Sequence, residues 1–212
     1  MMDAFEARID HSIERFTQRP ERLALVVAGA GLSLPFEWWR RPGCSLNLAS
    51  ADVLYSAESL ARYLDGRDAR VHPVTARLLA GAALARHPEA AVVLAITAAV
   101  TSHTRERRGG NKAAICLRWR PRKAGGMSGE ESPEAAALPS PPSGGISSDA
   151  REPTPEAAGI PGAGHPSEPM LECRLDDAML PRDLTRHECE RRIVLASFTL
   201  LDTYMNLPST RW

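Results

Sequence analysis

An α/β fold, with a mostly parallel sheet, helices on both faces and an antiparallel hairpin strand, is predicted by three observations. Apolar runs such as "RLALVVAG", "ADVLYS" and "AAVVLAITAAV" alternate with segments of helical spacing. The first run is rich in Leu and Val and apolar enough to be buried on both faces. "KAAICLRWR" follows a short, basic, Gly-containing turn rather than a helix, so it pairs antiparallel with the run before it.

The elements follow in order. Phe5, Ile9, Ile13 and Phe16 recur at helical spacing and predict an amphipathic N-terminal helix. "RLALVVAG" is the first strand, ended by the small residues Ala28 to Gly31. A short helix carries Trp38 and Trp39, whose side chains point about 100° apart and so cannot both enter one core. "ADVLYS" is the second strand and "AESLARYL" a helix. Pro73 opens the next helix, where its missing N–H costs nothing. "AAVVLAITAAV" and "KAAICLRWR" are strands three and four, and "LECRLDD" is a fifth. Thr185 and Glu188 form a capping box. The helix it opens carries Ile193, Ala196, Leu200 and Tyr204 on one stripe.

Between Pro121 and Pro169 the composition changes. Ten of the 17 prolines lie there, with no Phe, Trp or Tyr. Such a segment has too little apolar surface to offset the entropy of ordering it. The expected organisation is one domain made of 1–120 plus 170–212, with 121–169 as a disordered Pro/Gly/Ser/Glu-rich insertion. The insertion holds three basic and seven acidic residues, a net of −4, which leaves +4 for the rest of a chain of zero formal charge.

That zero removes any global field toward nucleic acid or anionic lipid. The first residues lack the layout of a secretory signal, and the longest apolar runs fall short of the ~20 residues that cross a bilayer. A soluble, cytoplasmic protein with no membrane partner is the expectation. Cys44, Cys116, Cys173 and Cys189 are scattered without a C-x-x-C pair, so no disulfide framework is expected. His187 and Cys189 lack the further ligands of a zinc site. No metal and no cofactor are expected.

In a parallel sheet, ligands bind beyond the carboxyl ends of the strands. Two segments stand there, Ala28 to Ser33 and Thr97 to Thr104. "GAGLS" is neither G-x-G-x-x-G nor a P-loop, and Ser33 lacks the flanking residues of a nucleophile elbow. A tight strand-to-helix turn competes with a phosphate cradle there. Arg105, Arg107, Arg108, Lys112, Arg118, Trp119 and Arg120 would suit nucleic acid, but a solvated hairpin tip accounts for them better.

Taken in order, "LVVAGAGLS", "PGCS", "VLYSAESLARYL", "VTARLLAGAAL", "VVLAITAAV", "RRGGNKAAICLRW" and a terminal helix resemble the CinA C-terminal domain. This is the competence/damage-inducible family whose active members are nicotinamide-mononucleotide amidohydrolases. The resemblance covers residues 20–120 and 185–207 and implies a three-layer α/β sandwich and a homodimer. In active members a loop resembling A-E-S-C-T-G-G holds the nucleophilic serine, and Y-S-N-x-x-K supplies a tyrosine and a lysine. Here Pro42, Gly43, Ser45, Tyr55 and Ser56 keep their places, but the serine position is Ala28 and the lysine position is Leu60. The glycines and proline of the third loop become Thr97, Ala98, Ala99 and Val100. "VAGAGLS" and "RERRGG" are closer to a divergent branch of the family.

A methyl group cannot attack a carbonyl, and Leu60 cannot take or shift a proton. The resemblance therefore implies a catalytically degenerate domain that binds a nucleotide- or phosphate-type ligand. The implied ligand set is Gly29, Ala30, Gly31, Ser33, Gly43, Ser45, Thr97 and Arg105. One alternative is an active amidohydrolase that uses displaced residues, Ser33 or Ser56 with Tyr55. Another is a protein-interaction module working through 121–169.

Overall fold

The computed structural model describes residues 3–67, 69–100, 110–121, 169–176 and 178–208. The described residues all belong to one unit. The expected insertion falls almost wholly outside the described residues.

Five strands form one sheet in the order β2-β1-β3-β4-β5. They are β1 (Leu23–Gly29), β2 (Leu48–Leu54), β3 (Val92–Ala99), β4 (Lys112–Trp119) and β5 (Met170–Leu175). β1 pairs in parallel with both β2 and β3, and β4 is antiparallel to β3 and to β5. Four strands thus share one direction and β4 alone opposes them. The hairpin register runs from Val92 opposite Trp119 to Ala99 opposite Lys112.

Period-2 alternation divides the buried strand residues between two cores. Leu23, Leu25, Val27, Leu94, Ile96, Ile115 and Leu117 face one side. There they meet the helices α1 (Ala4–Thr17), α2 (Ser33–Trp39) and α6 (Arg186–Met205). Ala24, Val26, Ala28, Val93, Ala95, Ala114 and Cys116 face the other side, against Ala76, Leu79, Ala80 and Ala83 of α5 (Pro73–Arg86). The short α4 (Ala57–Tyr63) adds Leu60 and Tyr63 at the margin of this second core.

Local signals act as the residue types demand. Asp3 caps α1, accepting from the Phe5 N–H at 3.2 Å. Thr185 Oγ1 accepts from the Glu188 N–H at 3.2 Å while the Thr185 N–H donates to Glu188 Oε2 at 2.7 Å. These bonds hold the Glu188 carboxyl below the usual carboxylate range. Trp38 is fully buried, edge-on to Phe16 and stacked on Phe198 at 5.6 and 6.2 Å between centroids, while Trp39 is exposed. Glu37 ties the end of α2 to α1: Arg40 and Arg41 pair with it and also with Glu6.

Two details differ from the sequence expectation. β2 begins at Leu48, three residues before "ADVLYS", with an irregularity where Leu23 gives way to Ala24. A further short helix, α3 (Cys44–Asn47), precedes it. Asn47 fixes α3: its amide donates to Arg19 O at 2.7 Å and Glu21 O at 3.2 Å, just ahead of β1.

Candidate functional site at the carboxyl end of strand β1

β1 leaves the sheet at Gly29, and this position admits only glycine. Its φ is +87°, and an added Cβ would lie 2.1 Å from Ala98 O of β3. The next N–H, of Ala30, donates to that same Ala98 oxygen at 3.1 Å. Gly31 has φ +94° and sits against Ile96 and Ile193, so α6 approaches the loop closely.

The loop's polar partner comes from α6. The Gly31 N–H reaches both carboxylate oxygens of Glu190, at 3.0 and 2.9 Å, and Ser33 Oγ donates to Oε2 at 3.2 Å. A carboxylate thus occupies the donors that a bound oxyanion would use. Sequence reasoning missed Glu190. The available signal was its position one turn ahead of Ile193, which continues the buried stripe of α6 toward the helix start.

The predicted site residues divide into groups. Gly29, Ala30, Gly31 and Ser33 form the Glu190 loop. Thr97 is buried beside Ala28 in the register, on the α5 side of the sheet and so on the opposite face from Glu190. Tyr55 follows Leu54 at the same end of the sheet and stands exposed. It leads into α4 on the α5 side, whereas Ser33 leads into α2 on the other. Gly43 and Ser45 do not join the loop. They lie just before β2, whose start pairs with the start of β1, so a strand length of about 20 Å separates them from Gly29. The parallel direction of β2 and the Asn47 anchor hold these two residues away from the loop. Arg105, Arg107 and Arg108 lie outside the described residues.

The two positions that carry serine and lysine in the resemblance deliver hydrocarbon. Ala28 is buried in the α5-side core and Leu60 packs against that core. The aromatic platform imagined for nucleic acid is not exposed either. Trp119 is buried against Tyr204, with centroids 5.1 Å apart, and Arg120 donates to Ala90 O at 3.1 Å and to Leu84 O.

Two further polar groups lie near these cores. Asn111 is buried and donates to Pro181 O at 3.1 Å and toward Cys189 Sγ at 3.5 Å. Burial pushes the Cys189 thiol up, while His187 stays exposed. Asp52 of β2 accepts from the Tyr63 hydroxyl at 2.6 Å, and its same oxygen lies 2.9 Å from His87 Nε2. Burial, then the Asp52 contact, raises the Tyr63 phenol above its ordinary range. This cluster clamps α4 and the end of α5 to the outermost strand.

No protein-family model and no curated protein sequence matches the chain. Solved structures do match. The competence/damage inducible protein CihA of Agrobacterium tumefaciens superposes with a TM-score of 0.59 at 14% identity, over 98% of each chain. A CinA superfamily protein of Enterobacter cloacae gives 0.60 at 12%, over 97% of this chain and 95% of that one. Another from Escherichia coli gives 0.52 at 13%, over 98% and 94%.

The fold is that of the CinA superfamily.

At such identities the likeness to CinA-superfamily structures carries architecture alone. Among the described residues, no helix is long and apolar enough to cross a membrane.

Proposed function

We propose that this chain is a catalytically degenerate CinA-fold protein that binds a nucleotide-like ligand at the carboxyl ends of β1, β2 and β3. One observation carries the reading. Ala28 and Leu60, at the positions of serine and lysine in the resemblance, both contribute to a single apolar core. A hydroxyl nucleophile and its proton acceptor have no atoms there to work with. The binding reading is supported by a glycine loop at the end of β1 and an exposed tyrosine after β2.

The test is direct. Nicotinamide mononucleotide raises the melting temperature of the chain in a thermal-shift assay, and no ammonia is released from it. Release of ammonia from it would overturn the degenerate reading. Absence of any shift with millimolar ligand would remove the binding reading.

A second reading is favoured by the Ser33–Glu190 hydrogen bond. A carboxylate 3.2 Å from a serine hydroxyl is placed to take its proton, as a displaced nucleophile would require. The same carboxylate also occupies the Gly31 N–H, a donor that an oxyanion intermediate would need. If the chain does release ammonia and both Ser33→Ala and Glu190→Gln abolish it, this second reading replaces the first.

A further inference from the structure

The loop that leaves β1 has the small residues of an anion cradle, but most of its donors are spent. The Ala30 N–H donates to Ala98 O and the Leu34 N–H to Gly31 O, each at 3.1 Å. Pro35, in the first turn of α2, has no N–H to offer. The Gly31 N–H is shared between both oxygens of Glu190, at 3.0 and 2.9 Å, and the Ser33 hydroxyl goes to Oε2 at 3.2 Å. A phosphate arriving here meets donors already held by a group of its own sign.

Glu190 also keeps its charge in place. Its partners are a backbone N–H and a hydroxyl, which stabilise a carboxylate without neutralising it. Among the described residues no Arg or Lys pairs with it: its neighbours Arg191 and Arg192 turn to Asp3 and to the Met179 carbonyl. Cys189 and Ile193 of the same helix are fully buried, so α6 cannot swing the carboxylate aside without leaving the core. The side chain is half-buried, and repulsion between like charges grows where water is partly excluded.

We propose that Glu190 makes this site select against phosphate, so that it takes a nucleoside in preference to the nucleoside's 5′-monophosphate. The inference rests on the binding reading above and narrows its ligand class. A ribose hydroxyl can donate to the carboxylate, whereas a phosphate dianion brings only acceptors to it. Glu190 is thus a specificity-determining residue, and its charge rather than its bulk sets the choice.

The test is a calorimetric titration of the full chain with nicotinamide riboside and with nicotinamide mononucleotide. The two differ only by a phosphate that carries about two negative charges near pH 7. At low salt the riboside binds about tenfold more tightly or better, and the gap narrows as NaCl rises toward about 0.5 M. Glu190→Gln keeps the size of the side chain and an acceptor for the Gly31 N–H. It brings the two affinities within about threefold of each other by strengthening mononucleotide binding. A purely structural role would weaken both ligands alike, and that result overturns the proposal. So does a mononucleotide that binds the unsubstituted chain as tightly as the riboside, which leaves the binding reading standing. Should Glu190→Gln fail to fold by circular dichroism, the salt series decides, and a gap that salt leaves unchanged overturns the proposal. If neither compound binds, the binding reading falls and this inference falls with it.

Discussion

The two faces of the sheet are built from different residues. Under α5 the strands present Ala24, Val26, Ala28, Ala95, Ala114 and Cys116, and the helix answers with Ala76, Ala80 and Ala83. Under α1, α2 and α6 they present Leu23, Leu25, Leu94, Ile96 and Leu117 to Phe16, Trp38 and Phe198. Small facing residues let one helix lie close, and large ones hold three helices further off. The difference also sorts the chemistry. The α5 face has hydrocarbon where the resemblance has a serine and a lysine. The α6 face brings a carboxylate to the loop at the strand ends.

The strongest way to break this arrangement is at Gly29, where β1 leaves the sheet. Gly29→Val drives a Cβ into Ala98 O at a positive φ. Folded protein is not expected to accumulate, as circular dichroism of the purified variant would show. Trp38→Ala comes next and empties the centre of the α6-side core. It costs about 3–5 kcal/mol in urea unfolding, whereas Trp39→Ala stays within about 0.5 kcal/mol in dilute solution. Equal costs would mean that the two indoles do not differ in burial. Ala80→Leu tests the α5 face by overfilling it, at about 1–3 kcal/mol. A neutral result would show slack between helix and sheet.

The smallest effect comes from pH. Burial pushes the Cys116 thiol, on the α5 face, from 9.0 up to about 12. The Tyr63 phenol is raised as well. Both groups hold their proton more tightly when folded, so their stabilisation is complete below the unfolded values and is lost as pH rises. For Cys116 the loss is about 1 kcal/mol at pH 10. Cys116→Ala should flatten part of that alkaline decline in a series of urea midpoints. An unchanged slope would remove the thiol as its source.

Much of the fold was legible because its signals are local. "RLALVVAG" and "AAVVLAITAAV" are too apolar for an exposed position, and Pro73, Thr185 and Glu188 mark helix starts within one turn. α3 and the early start of β2 were hidden because "SLNLAS" mixes short and polar residues without a clear period. The site was less legible. The Glu190–Gly31 bond spans 159 positions, and nothing in the loop's own residues announces it. The placing of Gly43 and Ser45 was legible and still missed. Once β2 is taken as parallel to β1, whatever immediately precedes it must stand at the far end of the sheet from Gly29.

Trp38 and Trp39 differ by one position and by their entire surroundings: one is walled in by Phe16 and Phe198, the other faces water. Their fluorescence therefore separates by colour. The difference spectrum between the chain and Trp39→Phe isolates a red emitter that a dissolved quencher can reach. Monitoring that component follows events on the outer side of α2 without any attached label.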